Sequence, residues 1–439
     1  MTENYIAVIQ AGGLGTRMVE ITQNKIPKPM ILLNGKPIIQ WQIENLVSYG
    51  INEIIIVIGY LGWKIKEYFD NINISGVKLE YIEEEEPLGS GGALYYLKQL
   101  HYNKNFLLIY GDVIFDIEWN RMIAFHESHE GIATLLIHPN AHPYDSDMII
   151  LEEDKRISGI DSKYNQRNYW YQNLVNAGIY IFSKETLNEF SELKKRDLEK
   201  DILHPLILSG KVYGYRSPEY VKDVGIPERY RQACKEQKAG IWKKKNLRNH
   251  QRCIFLDRDG TINKYCNLIS KEEDFELEEN AAEAIKKINE SGYLAIVITN
   301  QPVVARGLCE IKDVENIHCK MQVLLGEKGA YLDDIAFCPH HPDKGYPEEN
   351  VIYKIECTCR KPLTGMINLM KEKYNIDILN SYMVGDSTVD IQTGKNAGLR
   401  TIMVTTGEAG KDEKYNVVAD YIAGNIMEAV DIVLSQSTY

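Results

Sequence analysis

Short apolar runs alternate with amphipathic stretches along the first half of the chain. Tyr5–Gln10 (YIAVIQ) reads as a strand that opens into a glycine-rich loop. In IIQWQIENLVSYG, Ile39, Ile43, Leu46 and Val47 fall on one helical face, and Gly50 can cap the end. EIIIVIGY then holds the apolar run Ile54–Ile58, as expected of a strand covered on both faces. The second half repeats the rhythm: RCIFLDRDGT is strand then loop, AAEAIKKINESG helix, and YLAIVITN, SYMVGDSTVD and RTIMVTT supply further strands. This βαβ pattern predicts an α/β protein of two domains, each a mostly parallel sheet covered by helices. The stretch at 233–251 is polar, basic and without strand character, and reads as a solvated connecting helix. The expected boundaries are a first domain over 1–236, a linker over 237–250 and a second domain over 251–439.

Length agrees, because 439 residues exceed what one ordinary core holds. The formal net charge of −12 argues against a sequence-independent nucleic-acid binder. The longest apolar runs, Ile54 to Ile58 and Leu294 to Ile298, suit buried strands rather than membrane spans. MTENYIAVIQAGG has no basic segment and too short an apolar run for a secretion signal. The eight cysteines are therefore expected as reduced thiols in a cytoplasmic protein.

Chemistry begins at QAGGLGTRM, directly after the first strand. Glycines let backbone N–H groups approach a phosphate closely. A Walker A loop would end in Gly-Lys-Ser/Thr, and a dinucleotide loop would have a third glycine where Met18 stands. Instead Arg17 follows, and then Lys28 in PKP, a set suited to a triphosphate that must lose pyrophosphate. A glycine turn with surface cations is the plainer alternative. EPLGSGGAL is a second glycine cluster, and FLLIYGDVIFD puts Asp112 at a strand end, where α/β ligands sit. Asp223 in VKDVGIPERY offers a second carboxylate, and two such aspartates can share Mg²⁺.

Over about residues 4–232 these motifs together resemble the sugar-nucleotidyltransferase family. The resemblance implies a Rossmann-like fold in which Gly12, Gly13, Gly15 and Thr16 line the nucleoside triphosphate. Arg17 and Lys28 would bind its phosphates while a sugar 1-phosphate oxygen attacks the α-phosphorus. Asp112 and Asp223 would hold Mg²⁺, and Gly91, Asn176, Glu199 and Lys200 would contact the sugar phosphate. The family's usual proline and arginine after GTR are replaced by MVEI. The likeness extends to guanylyltransferases for a heptose 1-phosphate, so GTP is the expected donor. Guanine, cytosine and uridine enzymes share this scaffold.

CIFLDRDGT places Asp257 and Asp259 just past a strand. Two aspartates at i and i+2 can serve as nucleophile and neighbouring acid for a phosphate ester, with Mg²⁺ offsetting charge. A calcium loop would place its glycine at position six and a glutamate at twelve, and this stretch does neither. Thr299, Asn300 and Arg306 follow in IVITNQPVVARG, then Lys361, then Asp386 and Asp390 in MVGDSTVD. In this order the set resembles the haloacid-dehalogenase phosphatases, and within them the D-glycero-D-manno-heptose 1,7-bisphosphate phosphatases and their histidinol-phosphatase cousins. The resemblance implies a Rossmannoid fold with a zinc loop. Asp257 would be the nucleophile, Asp259 the acid and then the base. Thr299 and Lys361 would hold the phosphoryl group, and Asn300, Arg306 and Arg360 belong to the expected substrate-binding set. Asp386 would ligate Mg²⁺ with Asp257 and the Asp259 carbonyl, and Asp390 would support the metal site. Pro302 stands where many relatives have serine.

Cys338 and His340 are spaced i, i+2, as are Cys357 and Cys359. In extended chain such pairs point the same way, so two pincers can close a tetrahedral structural Zn²⁺ site. Together these readings predict loss of the C7 phosphate from a heptose 1,7-bisphosphate and then nucleotidyl transfer to the 1-phosphate. The alternative is a transferase for another sugar 1-phosphate fused to a histidinol-phosphate-type or other small-molecule phosphatase. The expected partners are the sugar phosphate and the nucleoside triphosphate, with no nucleic acid and no membrane. A homo-oligomer is left open.

Overall fold

The computed structural model describes residues 2–13, 15–72, 74–100, 103–345 and 347–436. The chain divides into two compact units. One holds Met1–His138, Ile149–Asp161 and Asn176–Asn246; the other holds Pro139–Met148, Ser162–Val175 and Leu247–Tyr439.

In the first unit, β1 (Tyr5–Gln10) is followed by α1 (Ile38–Ser48), β2 (Glu53–Ile58), β3 (Lys78–Glu83) and β4 (Asn105–Tyr110). β5 is Val113–Asp116, β6 Val175–Phe182 and β7 Tyr220–Asp223. Five neighbouring strands of a larger sheet run β6-β4-β1-β2-β3, parallel except where β6 lies antiparallel to β4. Alternate residues of β1 and β2 (Ala7, Ile9, Ile54, Ile56) bury one face beneath Ile39, Ile43 and Leu46 of α1. Gly50 follows α1 with φ of 79°, where a residue with a side chain would be strained. β5 and β7 form a separate antiparallel pair.

Two helices follow, α2 (Pro227–Lys238) and α3 (Ile241–Lys245). The stretch expected to be a solvated connector is packed instead. Trp242 is buried, stacks on Tyr220 at 5.1 Å and meets the edge of Trp41 at 5.5 Å. One large aromatic outweighs the surrounding lysines, because burying its surface is worth more than keeping the helix in water.

The second unit carries β8 (Cys253–Leu256), α4 (Ala281–Ser291), β9 (Leu294–Asn300), α5 (Ile311–Glu327) and β10 (Asp334–Cys338). β11 (Tyr382–Gly385), α6 (Thr388–Ala397), β12 (Arg400–Val404), β13 (Tyr421–Ala423) and α7 (Ile426–Gln436) come later in the chain. The strand order is β10-β9-β8-β11-β12-β13 and every pairing is parallel. All strands therefore end on the same edge, and β8, β9 and β11 sit side by side there. Among the described residues, no helix is long and apolar enough to cross a membrane. All eight cysteines are free.

Candidate active sites

In the first unit the glycine loop leaves β1 at the carboxyl edge of the sheet. Gly15 has φ of 64°, and a side chain there would press on the Lys28 stem. Gly12 is crowded by Gly59 and by the Glu84 carboxylate. Thr16 and Arg17 stand exposed on the turn after Gly15, whereas Lys28 is buried and paired with Asp112. Antiparallel pairing of β5 with β7 brings the second aspartate to the first: Asp223 lies opposite Val113, and the Val224 N–H donates to the Asp112 carbonyl at 2.9 Å. Asp223 accepts from the Gly225 N–H at 2.6 Å and from Arg229 at 2.9 Å.

Asn176 donates to Tyr180 at 2.7 Å and to Glu199 at 3.2 Å, so two of the expected sugar contacts share one network. Gly91 donates its N–H to the Arg196 carbonyl at 3.0 Å, and a side chain there would strike Ile202. Lys200 is exposed beside them. Glu84 lies in the run EEEE, whose charge gives no sign of burial. It is half-buried, its Oε1 has no hydrogen-bond partner, and burial raises its proton affinity. Nothing in the spacing around Arg229 marks it as the partner of Asp223.

In the second unit a cavity of about 810 Å³ opens over the ends of β8, β9 and β11. Asp257, Asp259, Thr299, Asn300, Arg360, Lys361 and Asp386 all line it. Lys361 is buried and reaches Asp257 at 2.8 Å and Asp390 at 2.5 Å. Burial alone would strip its proton, but the two carboxylates hold it on. Asn300 spends its amide on the Lys361 backbone, accepting from the N–H at 3.0 Å and donating to the carbonyl at 3.1 Å. It therefore aims the lysine. Arg306 lies outside the cavity lining.

Asp257, Asp386 and Asp390 bring carboxylate oxygens within 4.8 Å of one another. Burial, with mutual repulsion, pushes Asp257 up to about 7 and Asp386 up to about 9. Gly260 and Gly407, both with positive φ, press so closely on Asp386 that any side chain would collide with it. Three crowded, oxygen-only donors fit Mg²⁺. Asp390 has its two oxygens engaged by Lys361 and by Ser387 at 2.6 Å, so it braces the cluster.

Cys338, His340, Cys357 and Cys359 converge as the spacing predicts. Their sulfur–sulfur distances are 3.2 to 3.6 Å, and His340 Nδ1 lies 3.4 Å from Cys359 and 3.7 Å from Cys338. A tetrahedron with bonds of about 2.3 Å has edges only slightly longer, so the donor set fits Zn²⁺ with no open position. Hydrogen bonds from the neighbouring thiols lower Cys359 to about 5, which readies it as a thiolate.

A chain with these two sites is a nucleotidyltransferase joined to a phosphatase. It belongs to the nucleotidyl transferase family, whose description matches residues 6–239, and residues 358–429 match the HAD-hydrolase-like family. The first half is 31% identical to a D-glycero-alpha-D-manno-heptose 1-phosphate guanylyltransferase of Aneurinibacillus thermoaerophilus, covering 52% of this chain and 97% of the relative. It is 34% identical to the enzyme of that name from Campylobacter jejuni, covering 51% and 96%. The second half is 41% identical to a D-glycero-alpha-D-manno-heptose-1,7-bisphosphate 7-phosphatase of Photorhabdus laumondii, covering 39% and 91%. Domains of both families generally use Mg²⁺.

Proposed function

We propose that the chain removes the C7 phosphate of D-glycero-alpha-D-manno-heptose 1,7-bisphosphate and then joins GMP from GTP to the remaining 1-phosphate. One observation carries this: the chain spans nearly the full length of a 7-phosphatase and of a 1-phosphate guanylyltransferase. The product of the first is the substrate of the second. The alpha configuration follows the names of those relatives.

In the phosphatase unit an Asp257 oxygen attacks the C7 phosphorus and the bond to the sugar oxygen breaks. Asp259 protonates that leaving oxygen, then takes a proton from the water that hydrolyses the aspartyl-phosphate. Thr299 and Lys361 hold the transferring group. Mg²⁺ at Asp257, the Asp259 carbonyl and Asp386 would offset the phosphate's charge. In the transferase unit a 1-phosphate oxygen attacks the α-phosphorus of GTP and pyrophosphate leaves. Lys28 and Arg17 would neutralise the phosphates, with Asp112 and Asp223 holding the metal. Zn²⁺ at the Cys₃His loop would be structural, and the free thiols fit a reducing cytoplasm.

The test supplies the bisphosphate with each of four nucleoside triphosphates and follows phosphate and pyrophosphate. Phosphate release in every mixture and pyrophosphate only with GTP are expected. No phosphate release would remove the first half, and indifference to the base would remove the guanylyl assignment.

A further inference from the structure

Asp259 sits in a cage that the sequence does not announce. Arg258, between the two aspartates, is fully buried. Its Nη2 donates to both Asp259 oxygens at 2.9 and 3.0 Å, and its Nε adds a bond at 3.2 Å. Gln301 donates to Asp259 at 2.8 Å and to Thr299 at 2.9 Å, and accepts from Arg258 at 3.0 Å. Acid, arginine and amide thus close a ring that also ties in the hydroxyl proposed to hold the phosphoryl group.

The far side of the ring is His318 on α5. It is buried and packs its ring edgewise on Phe337 at 5.2 Å. Its Nε2 lies 3.3 Å from Arg258 Nη1. A guanidinium only donates, so Nε2 must accept and the imidazole must be neutral. Burial and the Arg258 cation keep it so, holding its proton affinity well below the ordinary value. His318 does not line the cavity. A buried arginine is costly unless every donor is placed, and a loosened one would carry Asp259 with it.

We infer that His318 is a positioning residue for leaving-group protonation, fixing Arg258 and through it the Asp259 carboxyl. That role presupposes that this unit is a phosphatase acting through Asp257 and Asp259. It separates the two chemical demands of the reaction. Attack by Asp257 needs no proton from Asp259, whereas departure of a sugar alkoxide does. An aryl phosphate, whose phenolate leaves unaided, bypasses the protonation step.

The experiment uses the full chain with Mg²⁺, comparing His318→Phe and His318→Gln on a sugar phosphate and on p-nitrophenyl phosphate. The nitrophenolate burst reports attack alone. His318→Phe is expected to lose about tenfold or more in kcat on the sugar phosphate, but under about threefold in the burst rate. His318→Gln, which keeps an acceptor, should recover most of the sugar-phosphate rate. Equal losses on the two esters, no loss on either, or a glutamine no better than phenylalanine would overturn the role. If His318→Phe does not accumulate folded, His318→Leu, which also lacks an acceptor, is read by the same ratio. Hydrolysis of both esters by the unmodified chain tests the phosphatase reading separately.

Discussion

Asp257 and Asp386 show how charge and burial compete at single residues. Without a cation, crowding and burial make the folded chain bind protons that the unfolded chain releases above its ordinary carboxylate range, about pH 4. Where the folded state holds more protons, stability falls as pH rises. The stabilisation from these protons is thus complete below about pH 4 and lost as pH climbs through the raised values near 7 and 9. Mg²⁺ should flatten this trend by favouring the ionised carboxylates. Melting temperatures from about pH 5 to 9 in Mg²⁺-free and Mg²⁺-supplemented buffer, without chelator, check it. A Mg²⁺-free chain as stable at the alkaline end as at the acid end would refute it. At this scale the aspartates proposed as catalytic were legible because strand, residue type and spacing coincide. Arg258 was not, since nothing in DRD says that the middle side chain turns inward. Asn300 stood out as a polar strand end, but its task of aiming Lys361 depends on a residue 61 positions away.

Among the elements, the loop after β10 links the proposed zinc site to a cation. Cys359 belongs to the proposed zinc set, Arg360 donates to the His340 carbonyl at 3.1 Å, and Lys361 comes next. Losing the metal should let Arg360 and Lys361 drift. Chelation followed by restored Mg²⁺ is expected to lower phosphatase activity by about tenfold or more, as loss of a supporting shell commonly does. Nucleotidyl transfer should stay within about twofold, because its proposed ligands are oxygens that Mg²⁺ resupplies. Equal loss of both activities would count against zinc as the bracket for Lys361. The paired i, i+2 spacing made this loop readable. The packed helix α3 was not, because local composition reports charge and is silent on which aromatic neighbour Trp242 meets.

Across the whole molecule, two complete constellations imply two separable reactions. Asp257→Asn should lower phosphate release from the bisphosphate by at least about a hundredfold and leave transfer to a supplied sugar 1-phosphate unchanged. Asp112→Asn should do the reverse by a comparable factor, about a hundredfold. Separate assays of phosphate and pyrophosphate check both, and loss of both activities in either variant would sink the division of labour.

The sequence by itself determined the two α/β halves, the order of the motifs and the chemical type of each site. Those properties follow from periodicity and from residues adjacent in the chain, which a linear reading reaches. Tertiary structure alone decided the surroundings of those residues. It set Glu84 against the glycine loop, Arg229 against Asp223, and Gln301 and His318 around Arg258. Except for Asp223 and Arg229, six positions apart, these contacts join residues far apart in sequence, and burial makes an unpaired polar atom costly.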